Sequence, residues 1–296
     1  MIKDAAYWIA FAHLPGWGNI KRNALISKFN EEHKITIEQF FQLSADEWKN
    51  GYLLDDKQVS DLHRAKADIA NTELLAEAYF KKGFDLIPVI SHEFPKILKE
   101  NLTATNCPSL LYTKGNKNLL EQRSVLITGS IESSDASIQF ADTIAKLAVT
   151  ESKTIINGAS KGVDRRALDS ALAAKGKVIV VLAQGIMTFD TGSKKYRSAL
   201  DSDDMLILSI FHPILPWRSE LTMARNPIMC GLAEEVYVAE SAEGKWAWTE
   251  IVEGLQNGKK IFARKPVTGE INSNVILIEK GAIQVELNGS HSKAAD

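Results

Sequence analysis

From residue 124 onwards the chain repeats one unit: a short aliphatic and β-branched run, a glycine-bearing turn, then an amphipathic stretch of helical length. The first runs are SVLIT (124–128), TII (154–156) and VIVVL (178–182). They are followed by Gly129, by Gly158 and Gly162, and by Gly185. MLILS (205–209), EVYVA (235–239) and KIFA (260–263) continue the series, with helical stretches expected at 137–150, 164–175, 220–232 and 248–257. Strands that alternate with helices pair in parallel, because a parallel neighbour needs a crossover long enough to hold a helix. The runs are apolar throughout rather than alternating, the pattern of strands covered on both faces. The expected fold class is therefore α/β, a doubly wound and mostly parallel sheet.

The segment before this series has a different character. Residues 1–82 read as a small helical N-terminal domain. Pro15-Gly16-Trp17-Gly18-Asn19 punctuates two helical stretches, in the manner of a helix-hairpin-helix turn or of any tight interhelical turn. Ser44 and Glu47 fit a capping box. Residues 56–82 form one long amphipathic stretch with Val59, Leu62, Ala65, Ile69, Leu74 and Phe80 on its apolar side, stopped by Gly83. Short apolar runs at 84–89 and 110–112 flank a helix-sized segment through Leu98 and lead into the repeating units. The division expected is thus 1–82, 83–287 and a small, polar, flexible tail at 288–296.

Composition excludes several classes. The 296 residues carry a formal net charge of -2, so a polyanion partner must be met by a local patch and not by a global positive field. Cys107 and Cys230 lie far apart, match no metal-ligand spacing, and read as free thiols of a reducing compartment. No apolar run approaches the roughly 20 residues that span a bilayer, and the N-terminus is too polar for a signal peptide. A soluble, cytoplasmic protein without membrane contact is expected.

Ligands of open parallel sheets sit beyond the carboxyl ends of the strands, where helix N-termini and loop amides converge. Gly129, Gly158, Gly162 and Gly185 all fall there, and glycine lets a backbone approach a phosphate closely. Ser130, Ser133, Ala159, Ser160 and Lys161 belong to the same rim and add hydroxyl, amide and ammonium donors. A glycine in a βα turn is also what positive φ alone demands, so the weight rests on three consecutive strands sharing the pattern. Asp164 and Arg166 open the following helix, Asp164 either as a helix-dipole partner or to order the 157–162 loop. Lys194, Lys195, Tyr196 and Arg197 read as a loop suited to phosphate tracking and base stacking, or as an ordinary solvated one. Arg225 and Asn226 lie in an apolar stretch, where Arg225 either salt-bridges internally or faces the ligand cleft. The 158–162 segment is not GxGxxG and no P-loop is present, which disfavours classical NAD or ATP sites. No nucleophile elbow, carboxylate pair or metal-ligand set emerges, so neither a catalytic residue, a cofactor nor a metal is expected.

These turns, in this order, resemble the DprA/Smf family of DNA-processing proteins. The resemblance rests on SVLITGS (124–130), INGASKGVD (156–164), GKVIVVLAQG (176–185) and ARNPIMCGLAEEVYVAES (224–241). NSNVILIEKGAIQVE (272–286) continues it, and LPGWGNIKRNALISKF (14–29) and HEFPKILKENLTATNCPSLLYTKGN (92–116) extend it upstream. It implies a Rossmann-like domain that binds single-stranded DNA, serves recombination and natural transformation, helps load the recombinase RecA, typically dimerises and has no established catalytic activity. Gly129, Ser130 and the 158–162 loop would then face DNA phosphates, with Arg225 and Asn226 lining the same cleft. The chain departs from the family pattern at the rim. Ile131 stands where the arginine after Gly-Ser is expected, Pro227 replaces the second arginine of R-N-R, and 243–249 replaces the S-G-S-L-I-T-A loop. Arg166-Ala167 stands in place of the A-H pair, and no counterpart of the winged helix of many members is expected after 287. Two other readings remain: a sensor of a nucleotide-derived ligand, as in some antiphage defence systems, and a nucleotide hydrolase, for which the P-G-G-x-G-T segment is lacking.

Overall fold

The computed structural model describes residues 2–102, 107–244 and 247–291. The N-terminal helices are α1 (Ile2–Ala12), α2 (Asn19–Ile26, prolonged by a π-helical turn at Ser27–Glu32), α3 (Ile37–Gln42) and α4 (Ala45–Tyr52). The expected capping box closes the start of α4, where the Glu47 amide donates to Ser44 Oγ and the Ser44 amide to Glu47. The stretch read as one long helix is two, α5 (Asp56–Ala67) and α6 (Ile69–Lys81), broken at Asp68. The break rotates the apolar stripe. Val59 and Leu62 stay buried, but in α6 Ala76 and Tyr79 face the core and Leu74 is 64% exposed. Gly83, at φ +72°, then turns the chain into the sheet.

Among the described residues nine strands form one sheet. They are β1 (Asp85–Pro88), β2 (Leu110–Gly115), β3 (Ser124–Thr128), β4 (Thr154–Asn157), β5 (Val178–Val181), β6 (Met205–Ser209), β7 (Glu235–Val238), β8 (Lys260–Arg264) and β9 (Ile283–Val285). Their spatial order is β1-β2-β6-β5-β4-β3-β7-β8-β9. The pairings β1–β2 and β2–β6 are antiparallel and every other ladder is parallel. Between them run α7 (Lys96–Asn101), α8 (Asp135–Thr150), α9 (Val163–Ala173), α10 (Lys194–Asp201), α11 (Glu220–Leu232), α12 (Trp248–Gln256) and α13 (Asn274–Glu279). The doubly wound α/β expectation from the glycine-punctuated runs holds.

Uniformly apolar strands allow two cores, one on each face. Val125, Ile127, Ile155, Val178, Val180 and Ile207 pack against α8, α9 and the N-terminal helices. Leu126, Ile156, Ile179, Val181, Leu206 and Leu208 pack against α7, α11, α12 and α13. Alternate residues of each strand thus serve opposite layers. The aromatic cluster of the N-terminal helices (Trp8, Phe11, Phe29, Phe40) is continuous with the first layer through Tyr79 and Tyr112. The Tyr79 hydroxyl donates to the Asp85 carbonyl at 2.6 Å and accepts from the Thr113 amide at 3.2 Å, stitching α6 to the antiparallel edge.

Two further expectations change. Residues 194–197, read as a loop, form the first turn of α10, because Tyr196, Ala199 and Leu200 recur at helical spacing and bury that side. Residues 288–291, read as the start of a fraying tail, turn back on the sheet. The Glu286 amide donates to the Ser290 carbonyl at 2.8 Å, and His291 bridges Val285 and lies 5.7 Å from the Phe262 ring. The rest of that expected tail, 292–296, lies outside the described residues.

Candidate nucleic-acid interface

The chain winds outward from β3 through β4, β5 and β6, then returns by α11 to β7 on the other side of β3. Helices α8 and α9 lie on one face and α11 and α12 on the other, so the loops leaving β3 and β7 diverge. Such a switch point is where open α/β sheets hold ligands. A cavity of about 360 Å³ opens there, lined by residues 128–132, by Val238 and residues 240–242, and by Ala247, Trp248 and Ile251.

The first two glycine loops are built as one unit. Gly129 is buried between α9 and the end of β7: a Cβ there would sit 2.7 Å from the Val163 side chain and 3.2 Å from the Glu240 amide. Gly162 adopts φ +74°, and a Cβ on it would meet the Ile131 and Ser130 carbonyls and Ser133 Oγ within 2.7 Å. Ser133 closes the first loop by donating to the Ser130 carbonyl. The second loop therefore nests against the first, leaving Ser130 and Ser160 half-buried and Lys161 exposed at the rim.

The 157–162 loop is shaped from below. Asn157 accepts from the Ala159 amide at 2.6 Å and donates to the Asp164 carbonyl at 2.7 Å, which holds Ala159 in the left-handed region at φ +54°. The guanidinium of Arg225 lies directly against the Gly158 Cα, where any Cβ would collide with it, and donates to the Gly158 carbonyl at 2.8 Å. Arg225 and Asn226 are 2% and 3% exposed, and Arg225 also reaches Asn226 Oδ1 at 3.4 Å. The sequence left Arg225 between an internal salt bridge and the ligand cleft. Both side chains are buried, neither lines the switch-point cavity, and the guanidinium supports the loop from within. Asp164, 1% exposed, is its counterpart. Burial pushes the Asp164 carboxyl up to about 6, against the opposing pull of Arg225 and of the Ser160 and Gly158 groups it faces. Neither carboxylate oxygen closes a complete hydrogen bond. Asp164 lies both in the first turn of α9 and beneath the loop, the positions of the two roles read for it.

The remaining expected cations divide. Arg166 pairs with Asp142 of α8 at 3.2 Å, and Lys195 pairs with Asp169 of α9. Lys194 and Arg197 are exposed on α10. Arg165, not singled out in the sequence, ties this helix to the loop by donating to the Tyr196 hydroxyl at 2.6 Å and the Ala159 carbonyl at 3.2 Å. Gly185 does not belong to an open rim. Its amide donates to the Leu215 carbonyl at 2.7 Å, and its Cα packs on the His212 and Pro213 carbonyls, so the 212–215 segment occupies the approach.

Sequence reasoning also missed the cluster that closes the start of α8. Glu240 accepts from the Ser134 amide (3.0 Å), the Ser134 hydroxyl (2.9 Å) and the Ser137 hydroxyl (2.7 Å). Arg264, fully buried, donates to the Ala239 carbonyl at 2.8 Å, to Ser137 at 2.9 Å and to both oxygens of Glu270. The Arg264 guanidinium, the Val267 amide and the Ser134 hydroxyl hold the Glu270 carboxyl down at about 2. The N-terminus of α8, a natural anion seat, is thus filled by the chain's own glutamate. The available signal was Arg264, a charge ending an apolar β run. Trp217, 58% exposed beside exposed Arg218 in the loop before α11, was likewise legible as a ring next to a cation.

A doubly wound sheet with two nested glycine loops beside its switch point is the arrangement in which open α/β folds hold phosphate-bearing ligands. The chain belongs to the DNA recombination-mediator protein A family, whose model matches residues 85–292. It is 28% identical over 190 residues to DNA processing protein DprA of Streptococcus pneumoniae, covering 63% of this chain and 66% of that protein. Its fold is similar to the X-ray structure of the S. pneumoniae DprA, with a TM-score of 0.75 at 21% identity over 96% of this chain and 94% of that one. It is also similar to DNA processing protein A from Helicobacter pylori, in a structure described for its single-stranded DNA binding mode. That match has a TM-score of 0.55 at 22% identity, over 68% of this chain and 90% of the other. The chain matches somewhat less than two thirds of the length of the S. pneumoniae relative. Among the described residues no helix is long and apolar enough to cross a membrane.

Proposed function

We propose that this chain binds single-stranded DNA as a non-catalytic component of DNA processing and recombination. The strand follows the rim at the carboxyl ends of β3 and β4, with its phosphates on the Gly129–Ser130 turn and the 158–162 loop. The observation that carries the reading is the nesting of these two loops, which presents Ser130, Ser160 and Lys161 together on a backbone surface ordered from beneath by Arg225 and Asn157. Family membership and the single-stranded DNA described for the H. pylori relative support it. The family likeness also carries homodimerisation and a recombinase of the RecA type as partner; sedimentation of the chain alone and with the recombinase tests both.

Few cations at this rim are free, so binding is expected to be only mildly salt-sensitive. With the strand continuing past β5 and β6 so that Lys161, Lys194 and Arg218 each meet one phosphate, the slope of log K against log salt is about −2, from −0.7 per phosphate on a single strand. Fluorescence anisotropy with labelled oligo-dT across a salt series measures it. Absence of affinity at low salt removes the reading.

A second reading has its own observation. Ile131, where the family pattern has an arginine, is half exposed over a cavity of about 360 Å³, which suits a small nucleotide-derived ligand better than a long strand. Thermal-shift screening separates the two, because a ligand of the native state raises the melting temperature with its concentration.

A further inference from the structure

The cavity at the switch point contains a group that the two loops leave unexplained. Its floor carries Thr128, 1% exposed, whose Oγ1 is buried without a hydrogen-bond partner. A buried hydroxyl left unpaired is costly, and native structures usually supply it with a partner. None of the described residues does so here. Apolar wall is supplied by Ile131 on the β3 side and by Trp248 and Ile251 of α12 on the β7 side, with Ser130, Glu132 and Ser241 adding polar groups. Of the two carboxylates in the lining, Glu240 is engaged by Ser134 and Ser137, and Glu132 is exposed to solvent. At about 360 Å³ the space sits near the lower end of ligand pockets, roughly 300–1,000 Å³. It has room for one base-sized group.

An aromatic wall, aliphatic walls, polar groups at the mouth and an unpartnered hydroxyl beneath the floor fit a flat heterocycle with a hydrogen-bonding edge. Ile131 favours the same occupant, since an aliphatic side chain offers nothing to a phosphate. We propose that this cavity takes a single nucleobase, stacked on the Trp248 indole with its polar edge toward Thr128 Oγ1. The inference rests on the single-strand reading, in which Gly129 and Ser130 hold the adjoining phosphate. A free nucleotide offers the same chemistry, and the test separates the two sources.

Anisotropy titrations compare oligo-dT with a strand of equal length made of abasic sugar-phosphate, for the wild type, Trp248→Ala and Trp248→Phe. In parallel, thermal shifts are recorded with nucleoside monophosphates. The expected result is that Trp248→Ala weakens oligo-dT binding by between about 5-fold and 150-fold, the range for base–aromatic stacking. It leaves the abasic strand unchanged, and Trp248→Phe keeps most of the affinity. The phenylalanine variant preserves the wall, so a loss confined to the alanine variant is read as stacking once both melt alike. If oligo-dT and the abasic strand bind equally and neither variant alters them, the base pocket is overturned while the single-strand reading stands. If no strand binds but nucleoside monophosphates raise the melting temperature of the wild type and not of Trp248→Ala, the pocket stands and the single-strand reading falls. If neither binds, both are overturned.

Discussion

At the scale of single residues, the loop that carries the proposed site depends on an absence. Gly158 leaves room for the Arg225 guanidinium, which in turn holds the loop carbonyl. Gly158→Ala places a methyl on a buried, hydrogen-bonded group that has nowhere to move. The expected cost is about 1–3 kcal/mol, the usual penalty of overpacking, read from urea denaturation, together with weakened oligo-dT binding as the loop shifts. The glycines were legible in the sequence because punctuation of an apolar run is a local signal. Arg225 was not, since a charge in an apolar helix says that a partner exists without saying which. Its partner proved to be a carbonyl 67 residues away, a contact that only the path of α11 beneath β4 brings about.

At the scale of elements, the strands from β3 to β8 and the helices α8, α9, α11 and α12 follow from periodicity, because the strand centres are apolar and these helices each bury one side. Two errors share one cause. The α5–α6 pair and the start of α10 are decided by which side of a helix finds the core, and a single break or a buried tyrosine changes that. The start of α8 shows the same dependence on tertiary partners. Glu240, Arg264 and Glu270 come from two loops and a strand end, far apart in sequence, and none reads as functional alone. Arg264→Met leaves the Glu270 carboxylate without its main partner and removes a donor from Ser137. Breaking a buried pair from one side costs roughly 3–5 kcal/mol, which denaturant titration at neutral pH would register; a cost below about 1 kcal/mol would contradict the assigned role.

At the scale of the whole molecule, the N-terminal helices and the sheet meet at a histidine. His13 lies 2.8 Å from the Tyr112 hydroxyl, with its ring 5.0 Å from that of His212 in the loop after β6. Burial, then His212 and Arg22, push His13 down to about 3. The unfolded chain therefore binds a proton near pH 6.5 that the folded one refuses, and stability falls as pH drops from 6.5 towards 3. The loss is up to about 1.4 kcal/mol per pH unit. It should be absent in His13→Gln, whose melting temperature, compared with wild type at pH 7.5 and 5, is expected to change less. At the far edge of the sheet, the turn at 286–291 has a different consequence. It lays His291 beside the last strand, whose other flank is already paired with β8. A sheet margin left bare is a template for strands of other molecules, and proteins commonly blunt it with a short covering segment. Cutting the chain after Leu287 would remove that guard, and the resulting protein would be prone to aggregate through an uncovered β9.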